Sequence, residues 1–116
     1  LDYECGTHVM YRFETPEQAD RFAELAKGTV TLKTGRHVYT QWDPVLQHMG
    51  AHHPALNPFL MKENAQCRMN YRMDMCQKSL DILARTVFVR THPDHKRADV
   101  TAQIQRIKAA AKEVLQ

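Results

Sequence analysis

Residues 42–75 are the stretch that most restricts the fold. They carry neither a helical nor a strand period, and Pro44, Pro54 and Pro58 each remove a backbone donor, so no long helix crosses them. The chain has 116 residues, enough for one core that buries roughly two-thirds of the unfolded surface. That core has to come from the segments on either side, and the middle is an insert. An insert of this length is a candidate for function or for packing against a neighbour.

The flanks are patterned. Over residues 6–13, Val9, Tyr11 and Phe13 alternate with His8, Met10 and Arg12, the period of a half-buried strand. TPEQADRFAELAKG then encodes both ends of a helix. Thr15 is the N-cap, Pro16 opens the first turn, Gln18 closes a capping box and Gly28 is the stop. Ala19, Phe22, Ala23 and Ala26 form its apolar stripe. TVTLK alternates with β-branched residues, Gly35 bends the chain and HVYT resumes an extended pattern, so a second strand is expected here. Beyond the insert, Cys76, Leu80, Leu83 and Ala84 share a helical face, and RTVFVRT reads as an apolar strand. Val100, Ile104, Ile107, Ala111 and Val114 recur along a last helix, with Asp94 and Asp99 near its start and Lys108 and Lys112 near its end, as the helix dipole favours. This order predicts an α+β fold: a small three-stranded sheet, antiparallel or mixed, with helices packed on one face and a long irregular insert.

Composition narrows the classes further. Hydrophobic residues make up 43% and charged residues 25% of the chain, near globular averages, which excludes a disordered polymer. No run approaches the ~18 apolar residues of a membrane span, and no basic segment followed by an apolar one marks a signal peptide. The chain starts at Leu1 and enters a strand pattern almost at once, so it is expected to be a piece of a longer protein. A net charge of +3 with the signs interspersed suits an acidic small molecule better than nucleic acid. Cys5, Cys67 and Cys76 are odd in number and form no close pair, so a reducing cytoplasm is expected and a disulfide framework is not.

Residues 36–59 concentrate the chemistry: His37, His48, His52 and His53 lie here together with the single tryptophan, Trp42. A metal reading would use His48 and His52, four apart, with His53 and His37. Gly50 between them and Pro54 after them oppose the helix that would align both imidazoles, and no glutamate adjoins His48 as a base. Loop histidines that hydrogen-bond or face solvent are the simpler expectation, with no metal. Met49, Met61, Met69, Met73 and Met75 suit irregular packing against another chain better than copper binding. Ser79, the only serine, sits on an expected helix without the strained turn of a hydrolase nucleophile. Gly-rich phosphate cradles are absent. Tyr11 and Phe13 could stack bases, but a core face explains their alternation equally well.

GTHVMYRFETPEQADRFAELAKG, LKTGRHVY and CQKSLDILARTVFVRTHPDHKRADVTAQIQRIKAAAKEVL together resemble the C-terminal domain of the DegT family of pyridoxal-phosphate-dependent sugar aminotransferases. In that family a strand and helix are followed by a strand leading to a histidine or tyrosine at the active site. A leucine-rich helix then leads into a strand ending in His-Pro, here His92-Pro93, and a last helix begins near an Asp-Val pair, here Asp99-Val100. The resemblance implies the aspartate aminotransferase fold, in which a large domain holds the cofactor and its Schiff-base lysine and a small C-terminal domain closes the cleft. Residues 1–116 would form that single small domain. It would contain no catalytic residue and be inactive alone, because its lysines, such as Lys27, Lys33 and Lys78, lie outside any Schiff-base motif.

The same resemblance implies pyridoxal 5'-phosphate bound mainly by the N-terminal large domain, a keto or aldehyde sugar as substrate, glutamate as amino donor and a homodimer. It implies no nucleic acid and no membrane. The implied setting is cytoplasmic synthesis of sugars for surface polysaccharides such as lipopolysaccharide, or for antibiotics. His37 of GRHVY matches the position that reaches the sugar, and Arg36 beside it could pair a carboxylate or phosphate. Tyr39, the alternation partner of His37, would point the same way. His52, His53 and Asn57 would serve the substrate or the second subunit's pocket. Three departures stand out: the long histidine-rich insert, Lys96 in place of a small polar cap, and Gln77 where a proline is common. GAHHPALNPF resembles the subgroup acting on free keto sugars, such as the one making 8-amino-3,8-dideoxy-octulosonate, more than those acting on nucleotide sugars. On the residues alone two other classes stay open: a metal-binding module built on His37, His48, His52 and His53, and a small-ligand regulatory domain.

Overall fold

The computed structural model describes residues 6–50 and 52–116. The expectation for Cys5, and Ala51 within GAHHPALNPF, lie outside the described residues. The chain divides into two compact units, residues 6–34 with Lys78–Gln116, and Gly35–Gln77.

The first unit is α+β. Strands β1 (His8–Arg12), β2 (Thr29–Val30) and β3 (Thr86–Arg90) make an antiparallel sheet in the order β1-β3-β2. The apolar run TVFVR takes the central place because its valines can be buried by both neighbours: Val87 faces Tyr11 on one side and Val30 on the other. Helix α3 (Gln77–Ala84) leads into β3, and helices α1 (Pro16–Ala26) and α4 (Arg97–Val114) supply the second layer. Phe13, Phe22, Val30, Val87 and Val89 close the core with Ala19, Ala26 and Ala110. These alanines let the helix backbones approach closely, and Phe22 fills the space between with its ring 4.8 Å from Phe13 and 5.2 Å from Tyr11. On the opposite sheet face Met10 stays exposed and His8 meets Phe88 edge-on at 4.9 Å. Among the described residues no helix is long and apolar enough to cross a membrane.

The expected capping box of α1 is present. The Thr15 hydroxyl accepts from the Gln18 N–H at 3.2 Å, and the Gln18 side chain accepts from the Thr15 N–H at 3.3 Å. Backbone donation, then the Thr15 hydroxyl, holds the Glu17 carboxyl below its ordinary range. The Arg21 guanidinium binds Glu113 of α4 at 2.6 Å and Glu24 at 2.8 Å, and the Glu113 carboxylate above all holds its proton more tightly than usual. This bridge is half exposed, so it orients α1 against α4 more than it stabilises the fold. At α4, Lys96 offers no acceptor; the Asp99 carboxylate reaches back to its N–H at 2.9 Å and caps the helix in its place.

Two expectations need correction. Gly28 does not stop α1 by turning left-handed. Lys27 does so, at φ 56°, with its N–H on the Ala23 carbonyl. Gly28 is required for another reason: a Cβ there would lie 2.6 Å from Val87 Cγ1 and 3.0 Å from the Phe88 carbonyl oxygen. The second strand is also far shorter than expected. It ends at Val30, and Thr31–Lys33, Gly35–His37 and Tyr39–Gln41 are single 3₁₀ turns. The buried Thr31 hydroxyl bonds the Leu83 carbonyl at 2.7 Å, with the Thr86 carbonyl at 3.2 Å. The pull toward those carbonyls turns the chain off the sheet edge. Without a strand from Lys33 to Thr40, His37 and Tyr39 are not alternation partners, and both belong to the second unit.

Candidate functional site

All six residues singled out for substrate contact, Arg36, His37, Tyr39, His52, His53 and Asn57, fall in the unit Gly35–Gln77. Its opening stretch is built by i→i+3 bonds. Gly35 takes φ +65°, a conformation open to glycine, and its carbonyl accepts from Val38 at 2.9 Å. The Val38 carbonyl accepts from Gln41 and the Tyr39 carbonyl from Trp42, each at 2.9 Å, and the short helix α2 (Asp43–Leu46) follows. Pro44 fits in its first turn, where a backbone N–H has no helical partner to lose.

This winding folds the chain around a concavity of about 370 Å³ lined by Arg36, Gln41, Trp42, Asp43, Pro44 and Val45. The Trp42 indole N–H donates to the Arg36 carbonyl at 2.7 Å, which fixes the ring although it is 46% exposed. Arg36 and Asp43 bring opposite charges to the same groove, and neither forms an ion pair among the described residues.

The remaining candidates are distributed differently. The Tyr39 hydroxyl donates to the Met73 carbonyl at 2.6 Å and accepts from the Cys76 N–H at 3.3 Å, so it ties the two ends of the unit together. His53 caps the turn Pro54–Leu56, its Nδ1 accepting from the Ala55 N–H at 3.2 Å. Asn57 accepts from the Phe59 N–H at 3.0 Å and fills the space beside Gly50, where a Cβ would meet it at 2.1 Å. His37 and His52 are exposed and, among the described residues, make no hydrogen bond. Only Arg36 of the six lines the groove.

His48 takes a left-handed backbone, φ 53°. Its ring stacks on Phe59 at 4.6 Å with Tyr71 edge-on at 6.2 Å, and Nε2–H donates to the Met69 carbonyl at 2.6 Å. His48 and Tyr71 stay exposed and Phe59 is half-buried, so this cluster is a surface contact of the second unit. No group of three or more His, Cys, Asp or Glu side chains able to hold a metal occurs among the described residues. His48 and His53 each commit a ring nitrogen to backbone, and Cys67 and Cys76 are exposed free thiols.

Trp42, Gln41 and Asp43 are the residues that sequence reasoning passed over. Their signal was modest: the one tryptophan of the chain, followed directly by Asp-Pro. In the first unit a concavity of about 640 Å³ is lined in part by Tyr11, Phe13, Phe22, Ile107 and Ala111. It is the open margin of the core, and Arg12, Glu14 and Gln18 complete its rim. Comparison with known proteins gives no significant match to a family model, a curated sequence or a solved structure.

Proposed function

We propose that this chain is the substrate-side small domain of a pyridoxal-phosphate-dependent sugar aminotransferase, which moves an amino group from glutamate to a keto or aldehyde sugar. One observation carries the reading. Two of the three segments that resemble the DegT family, residues 6–28 and 76–115, provide the strand, helix, strand and helix of one antiparallel α+β unit, while the third, LKTGRHVY, runs from that unit into Gly35–Gln77, which also contains the divergent stretch 42–75. Recombining a family-like frame with a variable insert is how one fold serves many substrates. The free keto sugar acid is the favoured substrate class, with the enzyme a cytoplasmic homodimer.

The lysines of this chain do not fit the cofactor's attachment. All seven, Lys27, Lys33, Lys62, Lys78, Lys96, Lys108 and Lys112, are exposed, and Lys33 pairs with Asp20 at 2.6 Å, whereas a Schiff-base lysine needs a desolvated pocket. In this reading the cofactor is bound by a large domain outside the chain, where it stabilises the carbanion, and the present residues bind and orient the sugar. The test uses the longer protein containing this chain. Yellow colour on addition of pyridoxal phosphate, bleached by glutamate and restored by a keto sugar acid, is the expected result. A protein that stays colourless and transfers no amino group overturns the proposal.

A further inference from the structure

We propose that the groove around Trp42 is a subsite for a sugar acid, with Arg36 taking the carboxylate, the Trp42 ring face carrying the pyranose, and Asp43 and Gln41 accepting or donating hydrogen bonds to its hydroxyls. The proposal rests on the sugar aminotransferase reading for its substrate class and joins Arg36, which that reading named, to Trp42, Gln41 and Asp43, which it left out.

Three observations converge on it. An exposed tryptophan normally loses ring freedom when a ligand stacks on it, an entropic cost of binding. Trp42 has already lost that freedom, because its indole N–H is held 2.7 Å from the Arg36 carbonyl while 46% of the residue stays open to solvent. The negative face of an indole attracts the weakly positive C–H groups that line one side of a sugar ring. The charges match as well. Arg36 and Asp43 line the same groove without an ion pair among the described residues, so neither has to break an existing bridge to serve a ligand. A guanidinium matches a carboxylate in a two-point contact, and a carboxylate accepts from paired hydroxyls. A simple anion uses only the first and a neutral sugar only the second; a sugar acid uses both. The size fits too: about 370 Å³ lies within the range of small-molecule sites. Pro44 and the i→i+3 bonds from Gly35 to Trp42 hold the walls in place.

Trp42 is the only tryptophan of the chain, so its fluorescence reports on this groove alone. The chain is titrated with ketodeoxyoctonate, methyl mannoside and inorganic phosphate, with far-UV circular dichroism monitoring the fold. A saturable change with ketodeoxyoctonate is expected, with at least tenfold weaker responses to the other two. Arg36→Gln should weaken the sugar acid tenfold or more without changing the dichroism spectrum. No response from folded chain, or equal responses to phosphate or methyl mannoside, overturns the subsite. In the longer protein, Arg36→Gln and Trp42→Ala should each raise the KM for the sugar acid about tenfold. Amination with unchanged KM in both variants overturns the subsite and leaves the aminotransferase reading standing. Sugar-acid binding by a protein that takes up no pyridoxal phosphate has the reverse meaning.

Discussion

Replacing Gly28 with alanine tests the packing of α1 on the sheet at its tightest point. The new methyl would sit 2.6 Å from Val87 Cγ1 and 3.0 Å from the Phe88 carbonyl oxygen, well inside the ~3.5–4.0 Å of an ordinary carbon contact. Neither neighbour can retreat cheaply. Val87 is fully buried and β-branched, hence stiff at χ1, and the Phe88 carbonyl belongs to the central strand. Overpacking of this kind costs about 1–3 kcal/mol. Loss of glycine freedom in the unfolded chain returns about 0.4–1 kcal/mol. The expected net destabilisation is about 1–2 kcal/mol, read as a lower urea midpoint at unchanged slope by far-UV circular dichroism. Val87→Ala removes the colliding methyl, so the double variant should be more stable than the two single losses imply, by about 1 kcal/mol. Lys27→Gly gives the opposite sign: it relieves a left-handed lysine and should stabilise by about 0.5–1 kcal/mol. If Gly28→Ala is neutral, the cycle additive and Lys27→Gly destabilising, glycine is acting as the helix stop and the close-approach account is wrong.

Gly50→Ala should disorder the turn around Asn57, since a Cβ there meets the asparagine side chain at 2.1 Å; faster proteolysis within residues 47–60 is expected, and unchanged cleavage would refute it. His48→Ala removes the Phe59 stack and the bond to the Met69 carbonyl and should cost about 1–2 kcal/mol, with loss of the ring-current shifts of Phe59 and Tyr71 in NMR spectra as the check. The Glu17 carboxyl is depressed in the folded chain, so its contribution is present above the ordinary carboxylate pKa and disappears as pH falls through the folded value. Glu17→Gln should therefore be less stable than the parent near neutrality and converge with it in acid, whereas a difference that persists in acid would contradict this. After dialysis the protein should hold no stoichiometric zinc or copper by elemental analysis, since His48 and His53 spend ring nitrogens on backbone groups.

The sheet and its two packed helices were legible because each is specified by local signals that agree. TVFVR is apolar enough only for a central strand, Thr15 and Gln18 sit at capping-box spacing, and Ile107 and Ala111 repeat at the helical period. What failed was local pattern overruled by a distant partner. TVTLK and HVYT alternate like a strand, but an edge strand needs ladder partners. β3 supplies them only to Thr29 and Val30. The Thr31 hydroxyl then satisfies the Leu83 carbonyl more than fifty positions away in sequence, a bond that no period announces.

The candidate site was less legible for a related reason. His37 and Tyr39 were paired by strand alternation, and once that strand is replaced by 3₁₀ turns the argument for a common direction disappears. Tyr39 spends its hydroxyl on Met73 and Cys76, which makes it a tie across the unit. Arg36 lines the groove with Trp42 because a turn, not a strand period, brings the two together. What joins them is the indole bond to the Arg36 carbonyl, six residues back, a spacing that belongs to neither helix nor strand. In an irregular insert the informative signal is therefore residue type in excess of what packing requires. Trp42 is left 46% exposed with its indole donor already paired, and that exposed surface is where the functional experiments should begin.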